Sequence, residues 1–294
     1  GDLFRVGNYG FFDYSLPEVQ SFLNHVFQTI FITWGFEAMK MDFWSQSVES
    51  DFIRYRRGGT GVVWRDWLLS TIERYLPDDG FLMTCVATAM GNPFMGKHAR
   101  SYRCCVDVGD CNWDDHILAS IWVQPLLASD ERHMALHNID GLGVSKQLTD
   151  DENLHRLTYG FITMGSLEID GRFETLPDYQ VEWLRRLTSH IDRGHAVHTV
   201  DDHVNTGVPL PRCLYVPYPE DSLSYQRGVK MHVALLNWSD TPQFIGATNE
   251  ALGLTGPVSV RDFWTDETRE FPVSGICERL PAHSARLYEV PVGS

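Results

Sequence analysis

A lysine and an aspartate stand two residues apart in the segment EAMKMDF, residues 37–43, which is otherwise mostly apolar. Alternate residues of a β-strand share a face, so Lys40 and Asp42 are predicted to point the same way. A lysine beside a carboxylate keeps that carboxylate ionised, which suits a nucleophile, and its ammonium group can also donate to a sugar hydroxyl. The alternative is a structural ion pair at the end of a strand.

A second carboxylate occupies a comparable position in RCCVD, residues 103–107, where Arg103 and Asp107 share a strand face. Two carboxylates facing one another across a pocket are the arrangement used for glycoside hydrolysis, in which one attacks the sugar and the other acts as acid and then base. The alternative role for Asp107 is to cap the following helix, although Asp110 is the better candidate for that role.

Aromatic residues lie close to both segments: Trp34, Phe43, Trp44 and Trp113. Trp44 follows the first carboxylate into a loop and is a candidate to stack on a sugar ring. Trp34 and Phe43 flank the strand and are predicted to belong to the core.

Metal chemistry has weaker support in the sequence. The chain has six cysteines, none in a CxxC pair, and we predict that they are mostly reduced and buried: Cys85, Cys104, Cys105, Cys111, Cys213 and Cys277. Two metal sites stay open as alternatives, one from Cys104, Cys105 and Cys111 and one from His195, His198 and His203. Neither spacing matches a common zinc site.

Helical stripes and apolar strand-like runs alternate from residue 1 to about residue 192, which predicts βαβ units and a parallel sheet. The segments SLPEV, 15–19, and TDDE, 149–152, indicate capping boxes that open helices. Polar residues close the predicted strands: Asp42, Asp107, Asp140 and Asp170. A (β/α)8 barrel has its active site at these strand ends. A doubly wound sheet would bind ligands there too, but no glycine-rich phosphate fingerprint follows a strand.

The pattern changes after about residue 193, where Pro and Gly become frequent and short β-type runs replace the helical stripes. These runs are CLYVPY, KMHVALLNW, VSVRDFW and ARLYEV, and they predict a small antiparallel β-domain. We therefore expect two domains, a barrel domain over 1–192 and a β-domain over 193–294.

Charge and composition limit the partners. The formal net charge is −15 and basic residues do not cluster beyond RYRR at 54–57, so nucleic acid is not expected as a partner. We also expect no membrane partner, because no apolar run reaches about 18 residues. A neutral carbohydrate is compatible with this surface. The first residues do not resemble a secretory signal, and both a cytoplasmic and a secreted location stay open.

Several motifs resemble the melibiase-type retaining α-galactosidases. WGFEAMKMDF resembles their strand-four signature, CVATAMG their strand-five segment and RCCVDVGDCNW their strand-six signature. HNIDGLGVSKQLTDDE resembles the strand-seven motif with its capped helix, and NYGFFDYSLPEV resembles the strand-three turn. VALLNWSD and VRDFW resemble the C-terminal β-sandwich of the family.

The resemblance implies hydrolysis of a terminal α-galactoside, or of a related α-glycoside such as an α-N-acetylgalactosaminide, with retention and without a metal or organic cofactor. It implies that Asp42 is the nucleophile and Asp107 the acid and base. Lys40 and Arg103 would bind substrate hydroxyls. Cys85 and Asp140 would line the sugar subsite, beside the proposed stacking residue Trp44.

Against this family the sequence accounts for six barrel strands, three to eight, so we expect an incomplete (β/α)8-type barrel followed by an antiparallel β-sandwich. The GSLEIDGRFETL region, 165–176, follows the strand-eight pattern only loosely. An incomplete barrel leaves an exposed strand edge, which a homo-oligomer or a companion chain would cover. The alternative function is that of a catalytically weak or inactive homologue that binds carbohydrate or serves in assembly.

Overall fold

The structure, a computed structural model, describes residues 4–6, 9–42, 55–85, 97–105, 107–108, 111–127, 136–190, 192–200 and 210–294. These residues divide into two units, one running up to Cys104 and the other from Cys105 onward. Phe43 and Trp44, as well as His203, lie outside the described residues.

Parallel strands and intervening helices form the first unit. Its elements are β1 (Phe4–Val6), β2 (Tyr9–Phe11), α1 (Pro17–Gln28) continuing as a π-helix (Thr29–Thr33), β3 (Ala38–Met41), α2 (Gly61–Tyr75), β4 (Phe81–Thr84) and β5 (Ser101–Arg103). Strands β3, β4 and β5 pair in parallel, with Lys40 opposite Met83 and Met83 opposite Ser101. Helix α2 connects β3 to β4, because two parallel neighbours need a long crossover.

The segment predicted to be barrel strand three takes a different form. Strand β2 pairs antiparallel with β1, so that Tyr9 lies opposite Val6. Ser15 does not cap α1 as predicted, because its hydroxyl donates to Asp13 Oδ1 at 2.6 Å and accepts from the Arg57 N–H at 3.0 Å. The N-cap is Leu16, which has no side-chain cap, and the capping box predicted at Ser15 and Glu18 is therefore wrong.

The second unit begins with the same alternation of helix and strand. It contains α3 (Trp113–Leu127), β6 (Leu136–Asn138), α4 (Asp150–Ile162), a 3-10 turn (Phe173–Thr175) and α5 (Asp178–Ser189). The predicted strand at 165–170 follows β6 as an irregular segment, with Ser166 N donating to His137 O at 2.8 Å. Its one parallel bridge joins Gly141 and Glu168.

The capping box predicted at 149–152 is confirmed. The Thr149 side chain accepts from the Glu152 N–H, and the Glu152 carboxylate accepts from the Thr149 N–H at 2.8 Å. Helix α4 therefore begins at Asp150 with two of its unpaired backbone N–H groups satisfied.

Antiparallel strands fill the rest of the second unit, which confirms the predicted β-sandwich. The elements are β7 (His198–Thr199), β8 (Cys213–Pro217), α6 (Leu223–Gln226), β9 (Val229–Leu236), β10 (Gln243–Ala247), α7 (Asn249–Leu252), β11 (Val258–Asp262), β12 (Thr268–Phe271), β13 (Ile276–Leu280) and β14 (Ala285–Pro291). Six strands lie in the order β12-β11-β14-β9-β8-β7, and β10 pairs with β13. Residues such as Val233, Leu235 and Tyr288 alternate into one buried core between them.

Helices α4 and α5 pack on this β-region within the second unit. The Trp264 indole N–H donates to Thr158 Oγ1 at 2.9 Å, and the Phe161 and Phe263 rings lie 4.9 Å apart. His283 lies between Glu152 Oε1 at 2.9 Å and Asp240 Oδ1 at 2.8 Å.

The domain boundary that the sequence predicts between residues 192 and 193 stays a prediction.

Among the helices that the structure describes, none is both long enough and apolar enough to cross a membrane.

Candidate active site

Four of the predicted site residues meet at the C-terminal ends of β3, β4 and β5. Lys40 is in β3, Asp42 directly follows it, Cys85 directly follows β4, and Arg103 ends β5. The parallel register brings the strand ends together, and the Cys85 N–H donates to Met41 O at 2.7 Å. The Cys85 thiol hydrogen-bonds with the Asp42 carboxylate, and the positive charges of Arg103 and Lys40 act on its pKa.

The groups around the Cys85 thiol shift its pKa. Burial, above all, raises the pKa of Cys85 to about 11, although the Arg103 and Lys40 cations act in the opposite direction. The Asp42 carboxylate adds to the rise through its charge and its hydrogen bond. The thiol is therefore protonated at neutral pH, where it can donate to Asp42 and orient it.

Burial differs across this group. Cys85 and Arg103 are buried, whereas Lys40 and Asp42 are exposed, and the alternating residues Met39 and Met41 are half-buried. This alternation puts Lys40 and Asp42 on one face of β3, as the spacing predicts. Their exposure leaves the carboxylate reachable by a ligand, and the alternative of a structural ion pair at the strand end stays open.

In the second unit, Asp140 follows β6 and its backbone adopts the left-handed conformation, with φ at 70°. Aspartate adopts this conformation more readily than most residues but at some cost in energy. Its Oδ2 accepts from the Val108 N–H at 2.7 Å, and its own N–H donates to Asn138 Oδ1 at 2.9 Å. Asp140 therefore holds the segment that carries Asp107, whose side chain is exposed.

Arg156 is a site residue that sequence reasoning missed. It is 2% exposed, and its guanidinium donates to Gly143 O at 3.2 Å and also to Gly141 O. A third contact reaches Val108 O at 3.5 Å, so one side chain joins the loop after β6 to the segment of Asp107. The sequence held no signal for this role, because the burial of α4 after Asn153 is visible only in the structure.

The aromatic predictions have mixed outcomes. Trp44 and Phe43 lie outside the described residues, so stacking by Trp44 stays a prediction. Trp34 is 65% exposed, and the core role expected for it is wrong, because it follows the end of the π-helix and its ring contacts that of Phe36 edge-on at 6.4 Å. Trp113 stacks on His283 with ring centroids 4.3 Å apart.

The residues of the two alternative metal sites are buried or contact other side chains. Cys104, Cys105 and Cys111 are buried, and Cys277 is the exposed member of a set that was expected to be mostly buried. His195 contacts Asp192 at 2.6 Å, and His198 stacks on Tyr215. Within the part of the chain that the structure describes, no three His, Cys, Asp or Glu side chains are grouped to hold a metal ion.

One family model matches part of the β-region. Residues 224–290 match the family model of the alpha galactosidase C-terminal beta sandwich domain. The comparison with curated protein sequences gives no significant match.

Solved structures with the same fold cover nearly the whole chain. A β-L-arabinopyranosidase of glycoside hydrolase family 27 from Geobacillus stearothermophilus matches 100% of this chain and 68% of its own, with a TM-score of 0.70 and 17% identity. An alpha-galactosidase I from Mortierella vinacea matches 92% of this chain and 71% of its own, with a TM-score of 0.64 and 15% identity. An isomalto-dextranase from Arthrobacter globiformis matches 99% of this chain and 52% of its own, with a TM-score of 0.66 and 15% identity.

The chain thus spans about half to seven-tenths of the length of these proteins. Its first part is a partial α/β barrel region and its last part an antiparallel β-sandwich, in the order found in these structures. Residues 224–290 are thus similar to the alpha galactosidase C-terminal beta sandwich domain, and the chain around them has the fold of the melibiase-type glycosidases.

Proposed function

We propose that the protein is a retaining glycoside hydrolase that cleaves terminal α-galactosides or a closely related α-glycoside. The observation that carries the proposal is the group formed by Asp42, Cys85, Arg103 and Lys40 at neighbouring strand ends. These strand ends are where barrel enzymes position their reacting groups. The family of the β-region and the fold of the solved relatives support the same class of reaction.

In the proposed first step, the Asp42 carboxylate attacks the anomeric carbon while Asp107 donates a proton to the leaving oxygen. The sugar–oxygen bond breaks, and a covalent glycosyl ester forms on Asp42. In the second step, Asp107 takes a proton from water, the water oxygen attacks the anomeric carbon, and Asp42 leaves as a carboxylate. Two inversions give net retention.

The neighbours have supporting roles in this proposal. Lys40 and Arg103 donate to sugar hydroxyls and balance the charge of Asp42. The protonated Cys85 thiol orients Asp42 and lines the sugar subsite. Asp140 acts through its bond to the Val108 N–H, which steadies the segment of Asp107, and Trp44 stacks on the sugar.

The test is cleavage of a panel of aryl glycosides, followed by proton NMR of the first sugar released. The panel holds the α-galactoside, the α-N-acetylgalactosaminide, the β-L-arabinopyranoside and the β-galactoside as the negative control. We expect cleavage of one or more of the first three, with the anomeric configuration of the substrate in the first product. An inverted product, or cleavage of the β-galactoside alone, would contradict the proposal.

A second candidate function is carbohydrate binding or assembly without efficient catalysis. It is favoured by the exposure of Lys40 and Asp42 and by the position of β3 at the end of its sheet, as far as the described residues show. Galactose binding by the chain, measured by calorimetry, together with no cleavage of any glycoside in the panel, would favour this second candidate.

A further inference from the structure

A cavity of about 520 Å³ lies in the second unit, between the loop after β6 and the segment after Glu168. Its lining residues are Gly143, Val144, Ser145, Lys146, Asp170, Gly171, Arg172, Thr175 and Leu176. We call it the 143–176 cavity. Ligand pockets typically begin at about 300 Å³, so the volume suffices for one sugar ring or a small aryl group.

Two cations line the 143–176 cavity. Lys146 and Arg172 are both exposed, and within the described residues neither side chain has an ion pair or a hydrogen bond. Free cations at one cavity are unexpected in a chain of net charge −15. One carboxylate, Asp170, also lines the cavity, so the lining has one more positive than negative charge and favours an anionic ligand.

The wall that carries Lys146 is held in place by buried hydrogen bonds. The Ser145 N–H donates to Asn153 Oδ1 at 2.9 Å, and the Asn153 amide donates back to Ser145 O at 3.0 Å. The Ser145 hydroxyl donates to Cys111 O at 2.7 Å. This wall is therefore ordered before a ligand arrives, which lowers the entropy lost on binding.

Glycine at position 143 lets the two walls approach each other. A Cβ added to Gly143 would lie 2.2 Å from the carbonyl oxygen of Asp170, which no side chain tolerates without a backbone shift. The close contact sets the position of the Asp170–Arg172 segment relative to Lys146, and so it brings cations from two distant parts of the sequence to one cavity.

Arg156 places the 143–176 cavity beside the proposed acid. Its guanidinium contacts Gly143 O in the cavity wall and Val108 O, one residue after Asp107. Asp107 is the group proposed to protonate the leaving oxygen, so a cavity next to its segment is a candidate to receive the leaving group.

We propose that the 143–176 cavity receives the leaving group of the substrate, and that Lys146 and Arg172 select leaving groups that carry an anionic oxygen group, a carboxylate or a phosphate. This inference rests on the proposed glycosidase function, because only that function gives the cavity a leaving group to receive. Charge-assisted hydrogen bonds from an ammonium and a guanidinium group recognise both anions.

The first experiment compares kcat/KM for 4-carboxyphenyl α-galactoside and its neutral analogue, 4-carbamoylphenyl α-galactoside. The ratio of the two values cancels the contribution of the shared galactose. In the Lys146→Gln/Arg172→Gln variant we expect this ratio to fall at least about fivefold.

Two controls accompany this variant. Arg185→Gln/Arg279→Gln removes the same charge from exposed positions outside the cavity and is expected to leave the ratio unchanged. Arg172→Lys keeps the charge and is expected to retain most of the preference, which covers the case in which the double variant does not fold. A ratio that is the same in the native chain, in Lys146→Gln and in the double variant would overturn the inference.

The second experiment measures binding without catalysis. Calorimetric titrations of the full chain use D-glucuronate, D-glucose 6-phosphate and D-glucose, and the two anions distinguish a carboxylate from a phosphate preference. We expect the preferred anionic sugar to bind at least about fivefold more tightly than glucose, and the double variant to lose this difference.

The two experiments separate the failure of this inference from that of the proposed function. If the native chain cleaves no α-galactoside but binds an anionic sugar through Lys146 and Arg172, the hydrolase proposal fails and the cavity assignment holds. If it cleaves both aryl galactosides and the double variant changes neither the ratio nor the binding, the cavity assignment fails and the hydrolase proposal holds. Equal binding of all three sugars overturns the cavity assignment in either case.

Discussion

At the scale of single residues, the contact between Asp42 and Cys85 defines the proposed nucleophile site. The two residues follow neighbouring parallel strands, and Arg103 and Lys40 supply positive charge beside them. The spacing of Lys40 and Asp42 was sufficient to predict their shared face, because alternation in a strand is a local property. The contact with Cys85 depends on parallel strand register, and the sequence did not predict it; the resemblance to a family implied only that Cys85 lines the sugar subsite.

The acidity of Cys85 offers a direct check of this contact. Asp42 raises the pKa of the thiol, so neutralising it in Asp42→Asn should lower that pKa and shift the pH dependence of Cys85 alkylation to lower pH. Peptide-resolved mass spectrometry after iodoacetamide treatment measures this shift. Glu37→Gln, an exposed neighbour that does not contribute to the thiol's pKa, is the matched control, and an unchanged profile in Asp42→Asn would show that the two groups do not meet.

At the scale of elements, helix α4 combines a capping box that the sequence predicts with Arg156 contacts that it does not. Its capping box was predictable, because it needs only residues three apart and no distant partner. The same pattern failed at Ser15, where Asp13 and the Arg57 N–H compete for the hydroxyl. Arg156 could not be assigned from sequence, since its acceptors belong to loops whose positions depend on the whole parallel region.

The first turn of α4 should make stability depend on pH. Burial alone would raise the pKa of Glu152, but the Thr149 N–H and His283 outweigh it and hold that pKa below the ordinary 4.5. A carboxyl with a lowered pKa in the folded state adds stability above its ordinary pKa and loses that contribution as pH falls through the folded value. Glu152→Gln should therefore reduce the free energy of unfolding by about 1–2 kcal/mol at pH 7, with a smaller difference below pH 4.

Urea unfolding at several pH values measures this difference. Asp151→Asn, an exposed change in the same turn, is the control and should alter the unfolding free energy by less than about 0.5 kcal/mol. The interpretation fails if Glu152→Gln lowers the free energy of unfolding by the same amount at pH 3.5 and pH 7.

Removing the Arg156 guanidinium should lower the free energy of unfolding. Arg156→Met keeps the volume roughly constant but deprives the carbonyls of Gly141 and Gly143 of a buried donor. We expect a loss of at least about 3 kcal/mol in unfolding free energy, since each orphaned buried group costs about 1–3 kcal/mol. Arg185→Met, on an exposed helix surface, is the comparison, and an equal effect of both changes would contradict the assigned role.

At the scale of the whole molecule, hydrophobic patterning predicted both the alternating first part and the antiparallel last part. The β-run CLYVPY contains β8 and the β-run KMHVALLNW covers all of β9 but its first residue, because period-two alternation and turn residues are visible in one sequence. The segment likened to barrel strand three, NYGFFDYSLPEV, and the run GSLEID at 165–170 take other forms, since pairing partners decide whether a short apolar run becomes part of a parallel sheet. Lys146 and Arg172 were missed because they meet only through the close approach of Gly143 to Asp170.

An exposed strand edge gives a prediction about association. Strand β3 ends its sheet among the described residues, and Ile32, Trp34 and Phe36 nearby are each more than half exposed. Exposed apolar side chains beside a free strand edge favour burial by another copy of the chain. We expect light scattering after gel filtration to give twice the mass of one chain, and Trp34→Ser/Phe36→Ser to reduce it; a monomer at high protein concentration would contradict this.

The central claim, that Asp42 is the nucleophile of a retaining hydrolase, is tested most directly by azide rescue of Asp42→Ala with an activated aryl α-galactoside. The account predicts that native hydrolysis falls by at least about a thousandfold in this variant. It also predicts that added azide, entering the space of the lost carboxylate, restores cleavage and yields the β-galactosyl azide. Hydrolysis by Asp42→Ala at the native rate would contradict the claim.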